Sequence, residues 1–305
     1  MMMLRARLIV GTLLAVWGFS VLCFDRCFAP WFPISFTFGV AVTFALGYEL
    51  QQLLPAEARP RSFPLYGSML LLVIFNWASA LGWPGAPLAW ITGGLLTSLL
   101  VSFLVEAWNY HEPGQVTKRL ALTFFSVAYI GFLGSFLIQL RWFHPDGSTG
   151  TGPSTIALMV AIFVPKCCDI GAFFTGKLFG KHRMTPLLSP KKTWEGAAGG
   201  ILIAGLSAVL MIQGVGTWFD LDPTGQFPFR HGSTWGIPGW MMTLLMGMVI
   251  GVAGMLGDLM ESLIKRDLHL KDASSTLPGF GGLLDVFDSI LFSVPVTYGI
   301  LQWAV

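Results

Sequence analysis

Nine apolar runs, each near the length of a membrane-spanning helix, decide what this chain can fold into. They lie at about Leu8–Phe24, Trp31–Leu54, Leu65–Trp83, Leu88–Val105, Leu120–Leu140, Ile156–Phe174, Gly196–Val215, Trp240–Leu256 and Gly282–Val305. A spanning helix needs roughly 20 such residues. Backbone N–H and C=O groups cannot stay unpaired in hydrocarbon, so the runs are read as helices. Composition removes the alternative of a soluble globule with buried helices. Residues of the apolar class make up 54% of the 305 and charged residues only 11%, with a mean hydropathy of +0.69. Too few charges remain to coat a soluble protein of this size. The expected class is an all-α, polytopic membrane bundle.

The placement of basic residues orients it. With the N-terminus in the cytoplasm, Arg26, Arg141 and Arg230 fall outside and Lys166 falls within a span. All the other Lys and Arg of the 18 fall inside, from Arg5 and Arg7 to Lys265, Arg266 and Lys271. The opposite orientation would invert that ratio, so an N-in, C-out, multi-pass protein of the inner (cytoplasmic) membrane is expected. The first run is long for a secretory signal and lacks a small-x-small cleavage site, so it is read as a retained helix. No nucleic-acid partner is expected. Cys23, Cys27, Cys167 and Cys168 have no metal-framework spacing.

Charge also divides the chain. Residues 1–117 carry few ionisable groups. Glu49 and Glu106 fall near helix ends, and Asn76, inside a span, is read as a helix–helix hydrogen-bonding residue. From residue 118 onward the cytoplasmic loops become densely charged and carboxylates enter the spans. The first part is expected to be a scaffold of about four helices, and 118–305 the part carrying chemistry.

Three constellations stand out there. Lys166 and Asp169 lie three apart on one helix face. A charge at mid-bilayer costs about 3 kcal/mol on insertion scales, so such groups face a partner or a cavity. Two readings stay open: a pair cementing the bundle, or a site wall in which Asp169 binds metal or polar substrate. The second constellation runs from Gly176 to Gly196. Ser189 is expected to cap a helix beginning at Pro190, with Lys191 and Lys192 in an opening turn that attracts anions.

The third is the richest. Asp258 and Ser262 lie at i, i+4, followed by Lys265, Arg266 and Lys271. Asp285 and Asp288 lie at i, i+3, one turn inside the last span. Paired carboxylates repel unless a cation joins them. Mg²⁺ is typically held by one or two carboxylates together with substrate phosphates, and a paired-metal site could brace an in-line displacement. The basic residues would balance phosphate charge, and the glycines beside Phe280, Gly281 and Gly282, would let backbone N–H groups reach a ligand.

This stretch resembles the signature of the phosphatidate cytidylyltransferases (CDP-diacylglycerol synthases), S-x-x-K-R-x4-K-D followed by P-G-H-G-G-x-x-D-R-x-D. The matching positions are Ser262, Lys265, Arg266, Lys271, Asp272, Pro278, Gly279, Gly281, Gly282, Asp285 and Asp288. Upstream, Asp169-x-Gly171-Ala172 and Ser189-Pro190-Lys191-Lys192-Thr193-x-Glu195-Gly196 resemble the same family. Phe280 and Val286 depart from it, standing where the family usually has His and Arg. The resemblance implies that CTP and phosphatidate give CDP-diacylglycerol and pyrophosphate, with Mg²⁺ required and room for a second metal ion of open identity. It implies Asp258, Asp285, Asp288 and Asp169 as metal ligands. It further implies that Lys191, Lys192, Lys265, Arg266, Lys271, Ser262, Gly281 and Gly282 line the substrate site, in the catalytic half of a homodimer. A CDP-alcohol phosphotransferase would instead space its aspartates four apart after an Ala-Arg pair. A transporter would often repeat its halves, whereas charge here is confined to one.

Overall fold

The computed structural model describes residues 18, 24–78, 80–145, 151–222, 225, 227–229, 237–270, 274 and 281–304. Apart from Gly18 and Phe24, the predicted span Leu8–Phe24 lies outside these residues. Among them the regular elements are helices, save for one short hairpin. Seven helices are long and apolar enough to cross a membrane. They are α1 (Pro33–Leu53), α3 (Pro87–Trp108), α4 (Val116–Trp142), α5 (Gly152–Phe179), α6 (Trp194–Trp218), α7 (Gly239–Asp267) and α8 (Leu284–Trp303). A shorter apolar helix, α2 (Ser62–Asn76), replaces the predicted run Leu65–Trp83. It ends at Asn76 because the following segment turns, with Gly82 and Gly85 at positive φ around Pro84. The all-α membrane bundle expected from the runs is what the chain forms.

The helices group into two compact units, residues 1–139 with 272–285, and residues 140–271 with 286–305. In the first unit α2 is the buried element: Leu65, Met69, Leu72 and Val73 are all at most 2% exposed. Its neighbours meet it through glycines. A methyl group at Gly47 on α1 would lie 2.7 Å from Met69 Sδ, one at Gly94 on α3 2.9 Å from the Phe75 ring, and one at Gly131 on α4 2.8 Å from Leu72. Small residues let helix backbones approach where lipid supplies no hydrophobic drive between helices. Polar cross-links complete the packing. Asn76 donates to Ser135 Oγ at 2.9 Å and accepts from Gln139 at 2.9 Å, the helix–helix bonding anticipated for it. Glu106 lies between Arg61 (3.0 Å) and Arg119 (3.2 Å).

The second unit holds α5, the hairpin β1 (Arg183–Thr185) and β2 (Ser189–Thr193), then α6, α7 and most of α8. Its strands are antiparallel, with Arg183 opposite Thr193. Glycines again set the spacing. A Cβ at Gly171 on α5 would stand 2.8 Å from Ile203 and 3.2 Å from the Gly200 backbone on α6. The glycine of the Asp169–Ala172 stretch therefore admits a neighbouring helix. Further along α6, Gly247 and Gly251 of α7 would collide with Ala208 and Ala204 if they carried side chains.

Candidate active site

The polar centre of the second unit begins with the two intramembrane charges of α5. Lys166 Nζ lies 3.2 Å from Asp169 Oδ2, as their shared helix face requires, and also 3.2 Å from Asp288 Oδ1 on α8. Ser289 donates its hydroxyl to Asp169 Oδ2 at 3.0 Å. The pair left open by the sequence is thus part of a larger network, because a second carboxylate, from another helix, shares the ammonium group.

From α7 comes Asp258, half-buried, with Lys192 Nζ 2.8 Å from its Oδ2. One turn further Glu261, 1% exposed, pairs with Lys265 Nζ at 2.8 Å. Carboxylate oxygens of Asp258, Glu261 and Asp288 all lie within 4.8 Å of one another. Glu261 was not singled out in the sequence. The available signal was its i+3 spacing from Asp258, which puts both on one face of α7. Ser262 stays close to Asp258, its hydroxyl 3.5 Å from Oδ1.

Two glycines make this convergence sterically feasible. A Cβ at Gly257 would lie 2.5 Å from the Asp288 carbonyl oxygen and 2.8 Å from Phe292, and one at Gly254 would lie 2.7 Å from Pro165. Bare backbone at these positions lets α7 press against α8 and α5 together. Asp258 follows Gly257 directly, and Lys166 follows Pro165.

The basic segment departs from its predicted form. Ser189 and Pro190 do not open a helix; they belong to β2, and the cap is Thr193, whose hydroxyl accepts the Gly196 N–H at 3.1 Å. Pro190 has no N–H to give to a ladder and is tolerated in this two-stranded edge. Lys191 and Lys192 therefore project from a strand next to the helix N-terminus. Lys191 is exposed and Lys192 reaches Asp258. Glu195 holds the hairpin entry, accepting the backbone N–H groups of Lys181 (3.1 Å) and His182 (3.2 Å). Arg266 is exposed and bonds the Leu188 carbonyl at 3.3 Å.

The other part of the signature lies in the first unit. Gly281 has a φ of 92°, a left-handed backbone that favours glycine. The Gly282 N–H donates to Asp285 Oδ2 at 2.6 Å, so it serves a local turn. Glu49, 6% exposed on α1, accepts the Leu284 N–H at 2.8 Å through one oxygen and the Ser274 hydroxyl at 2.8 Å through the other. A buried carboxylate receiving these two donors ties Ser274 and Leu284 to α1. The sequence reading gave Glu49 only an interface role, because nothing in the order of residues links positions 225 and 235 apart. Lys271, Asp272, Pro278, Gly279 and Phe280 lie outside the described residues.

Chemically, the centre of the second unit offers hard carboxylate oxygens from two helices with ammonium groups around them. Such a donor set suits a small divalent cation together with a polyphosphate, and the lysines can meet phosphate charge.

Comparison with known proteins gives a consistent picture. A family model described as the cytidylyltransferase family matches residues 5–304. The chain is similar to the phosphatidate cytidylyltransferase of Bacillus subtilis, 35% identical over 206 residues that cover 67% of this chain and 64% of the relative. It is similar to that of Staphylococcus haemolyticus, 31% identical over 209 residues, 68% of this chain and 69% of the relative. It is also similar to that of Mycobacterium tuberculosis strain H37Rv, 34% identical over 190 residues, 62% and 49% respectively. The matched stretch thus spans less than two thirds of the Bacillus and Mycobacterium proteins.

Proposed function

The chain belongs to the cytidylyltransferase family, and from that premise we propose that it transfers a cytidylyl group from CTP to phosphatidate at the cytoplasmic membrane face. A phosphate oxygen of phosphatidate attacks the α-phosphorus of CTP. The bond to the bridging oxygen of the β-phosphate breaks, giving CDP-diacylglycerol and pyrophosphate. The observation that carries this reading is the convergence of Asp258, Glu261 and Asp288 within 4.8 Å, bordered by Lys192 at 2.8 Å.

Asp258, Glu261 and Asp288 are the residues that would hold Mg²⁺, with Asp169 beside them. Asp285 is assigned to the same task on the signature alone. When bound, the ion would neutralise charge on the triphosphate and the departing pyrophosphate. Lys191, Lys192, Lys265, Arg266 and Lys271 would receive the phosphates. Lys192 and Lys265 pair with carboxylates of the centre, so once Mg²⁺ neutralises those carboxylates each lysine is released to meet a phosphate. Residues 118–305 supply most of this chemistry and 1–117 the scaffold. The protein works as a homodimer, as the resemblance implies.

A second reading keeps the transfer and changes the acceptor. Val286 and Phe280 replace the usual Arg and His of the signature, and loss of a cation can alter which lipid phosphate is accepted. Purified protein supplied with labelled CTP and Mg²⁺ separates the readings. CDP-lipid formed with phosphatidate supports the first, formation only with another lipid phosphate supports the second, and none with any contradicts both.

A further inference from the structure

The acidic centre of the second unit contains a cation supplied by the chain itself. Lys166 Nζ lies 3.2 Å from Asp169 Oδ2 and 3.2 Å from Asp288 Oδ1, joining carboxylates of α5 and α8 as a bridging metal ion would. Its side chain is 28% exposed and that of Asp288 only 8%, so the pairing is largely shielded from water. Helix α8 brings no cation to this point, because Leu284–Trp303 contains no Lys, Arg or His; position 286, where the resembled signature carries arginine, is valine. The remaining carboxylates have their own lysines, Asp258 with Lys192 and Glu261 with Lys265.

Asp169, Asp258, Glu261 and Asp288 bring four negative charges, and Lys166, Lys192 and Lys265 bring three positive ones. One divalent ion at Asp258, Glu261 and Asp288 would join carboxylates that already have ammonium partners among the described residues. A second ion between Asp169 and Asp288 would have to displace the ammonium group. A divalent ion and the ammonium group forced together there would repel each other.

We propose that Lys166 is a built-in cation standing at the place of a second metal ion, so that this chain takes one divalent ion where its carboxylates alone could take two. The inference rests on the metal-binding reading given under the proposed function, and deepens it by fixing the number of ions and the residue that sets it.

The test counts bound Mn²⁺. Full-length protein in nanodiscs of neutral lipid is titrated with Mn²⁺ without nucleotide, and free ion is read from its electron paramagnetic resonance signal. The wild type is expected to bind one ion per chain. Lys166→Met is expected to bind two, with spectral broadening from neighbouring ions, since paired sites lie about 3.5–4 Å apart. Lys166→Arg, which keeps the charge, should return the count to one. Two ions in the wild type overturn the proposal, as does a folded Lys166→Met that still binds one. No bound ion in the wild type contradicts the metal reading itself, so the two failures are distinguishable. If Lys166→Met does not fold, the wild-type count alone decides: one supports the proposal and two overturns it.

Discussion

Asp258 and Asp288 come from different helices, yet each lies against a lysine that is distant from it in sequence. Removing either carboxyl charge should slow cytidylyl transfer about 10²–10³-fold, the loss typical when one electrostatic contributor is removed. For Asp258→Asn the measurement is CDP-lipid formation beside an unchanged level of membrane-inserted protein. Asp285→Asn is a cleaner probe than alanine, because the asparagine oxygen can still accept the Gly282 N–H now given to Asp285. Its turnover is expected to fall by a similar factor with the loop kept. Glu261→Gln should do the same, through a residue that only its place on the α7 face reveals. At this scale the sequence was informative wherever spacing equals proximity. Lys166 with Asp169 and Asp258 with Ser262 are one helical turn apart, so their faces could be read directly. The bonds from Lys166 to Asp288 and from Glu49 to Leu284 join distant segments, and no local pattern encodes such pairings.

At the scale of elements, glycines govern what can touch. Gly257→Ala places a methyl group 2.5 Å from the Asp288 carbonyl oxygen, a backbone atom that cannot rotate away. Overpacking of this kind costs about 1–3 kcal/mol, and here it also moves Asp258 relative to Asp288. The variant is expected to lose transfer activity disproportionately to its drop in melting temperature. Gly254→Ala, against the Pro165 ring, gives the matching comparison on α5. At the other end of the centre, Thr193→Ala removes the cap of α6 and should lower stability by about 1 kcal/mol, read from thermal unfolding in detergent. The long helices were legible because hydrocarbon imposes both length and pattern. The hairpin was not: Ser-Pro preceding a helix is a common opening signal, and here Thr193, three residues on, satisfies the helix end instead. The short α2 was overestimated for a related reason. Its apolar run continues past Asn76, but the turn residues that stop the helix are themselves hydrophobic or glycine.

For the whole molecule, the membrane character and the family follow from length, hydropathy and the spaced signature together, whereas orientation rests on the basic residues. That orientation has a direct readout at the hairpin between α5 and α6, where Leu187 is 92% exposed. A single cysteine placed there in a background without Cys23, Cys27, Cys167 and Cys168 should react with an impermeant maleimide in inside-out vesicles and not in intact cells. Labelling from outside would reverse the assigned face and place the basic hairpin away from cytoplasmic CTP. The most direct test of the central claim, that carboxylates gathered from α7 and α8 perform metal-assisted transfer to a bilayer-embedded phosphate, uses Asp288→Asn. Purified wild type and variant are compared for CDP-diacylglycerol formed from labelled CTP, phosphatidate and Mg²⁺. The wild type should form product that chelation of Mg²⁺ abolishes, and the equally inserted variant should form about 10²–10³-fold less. Undiminished synthesis by the variant, or synthesis by the wild type that chelation leaves untouched, would contradict the account.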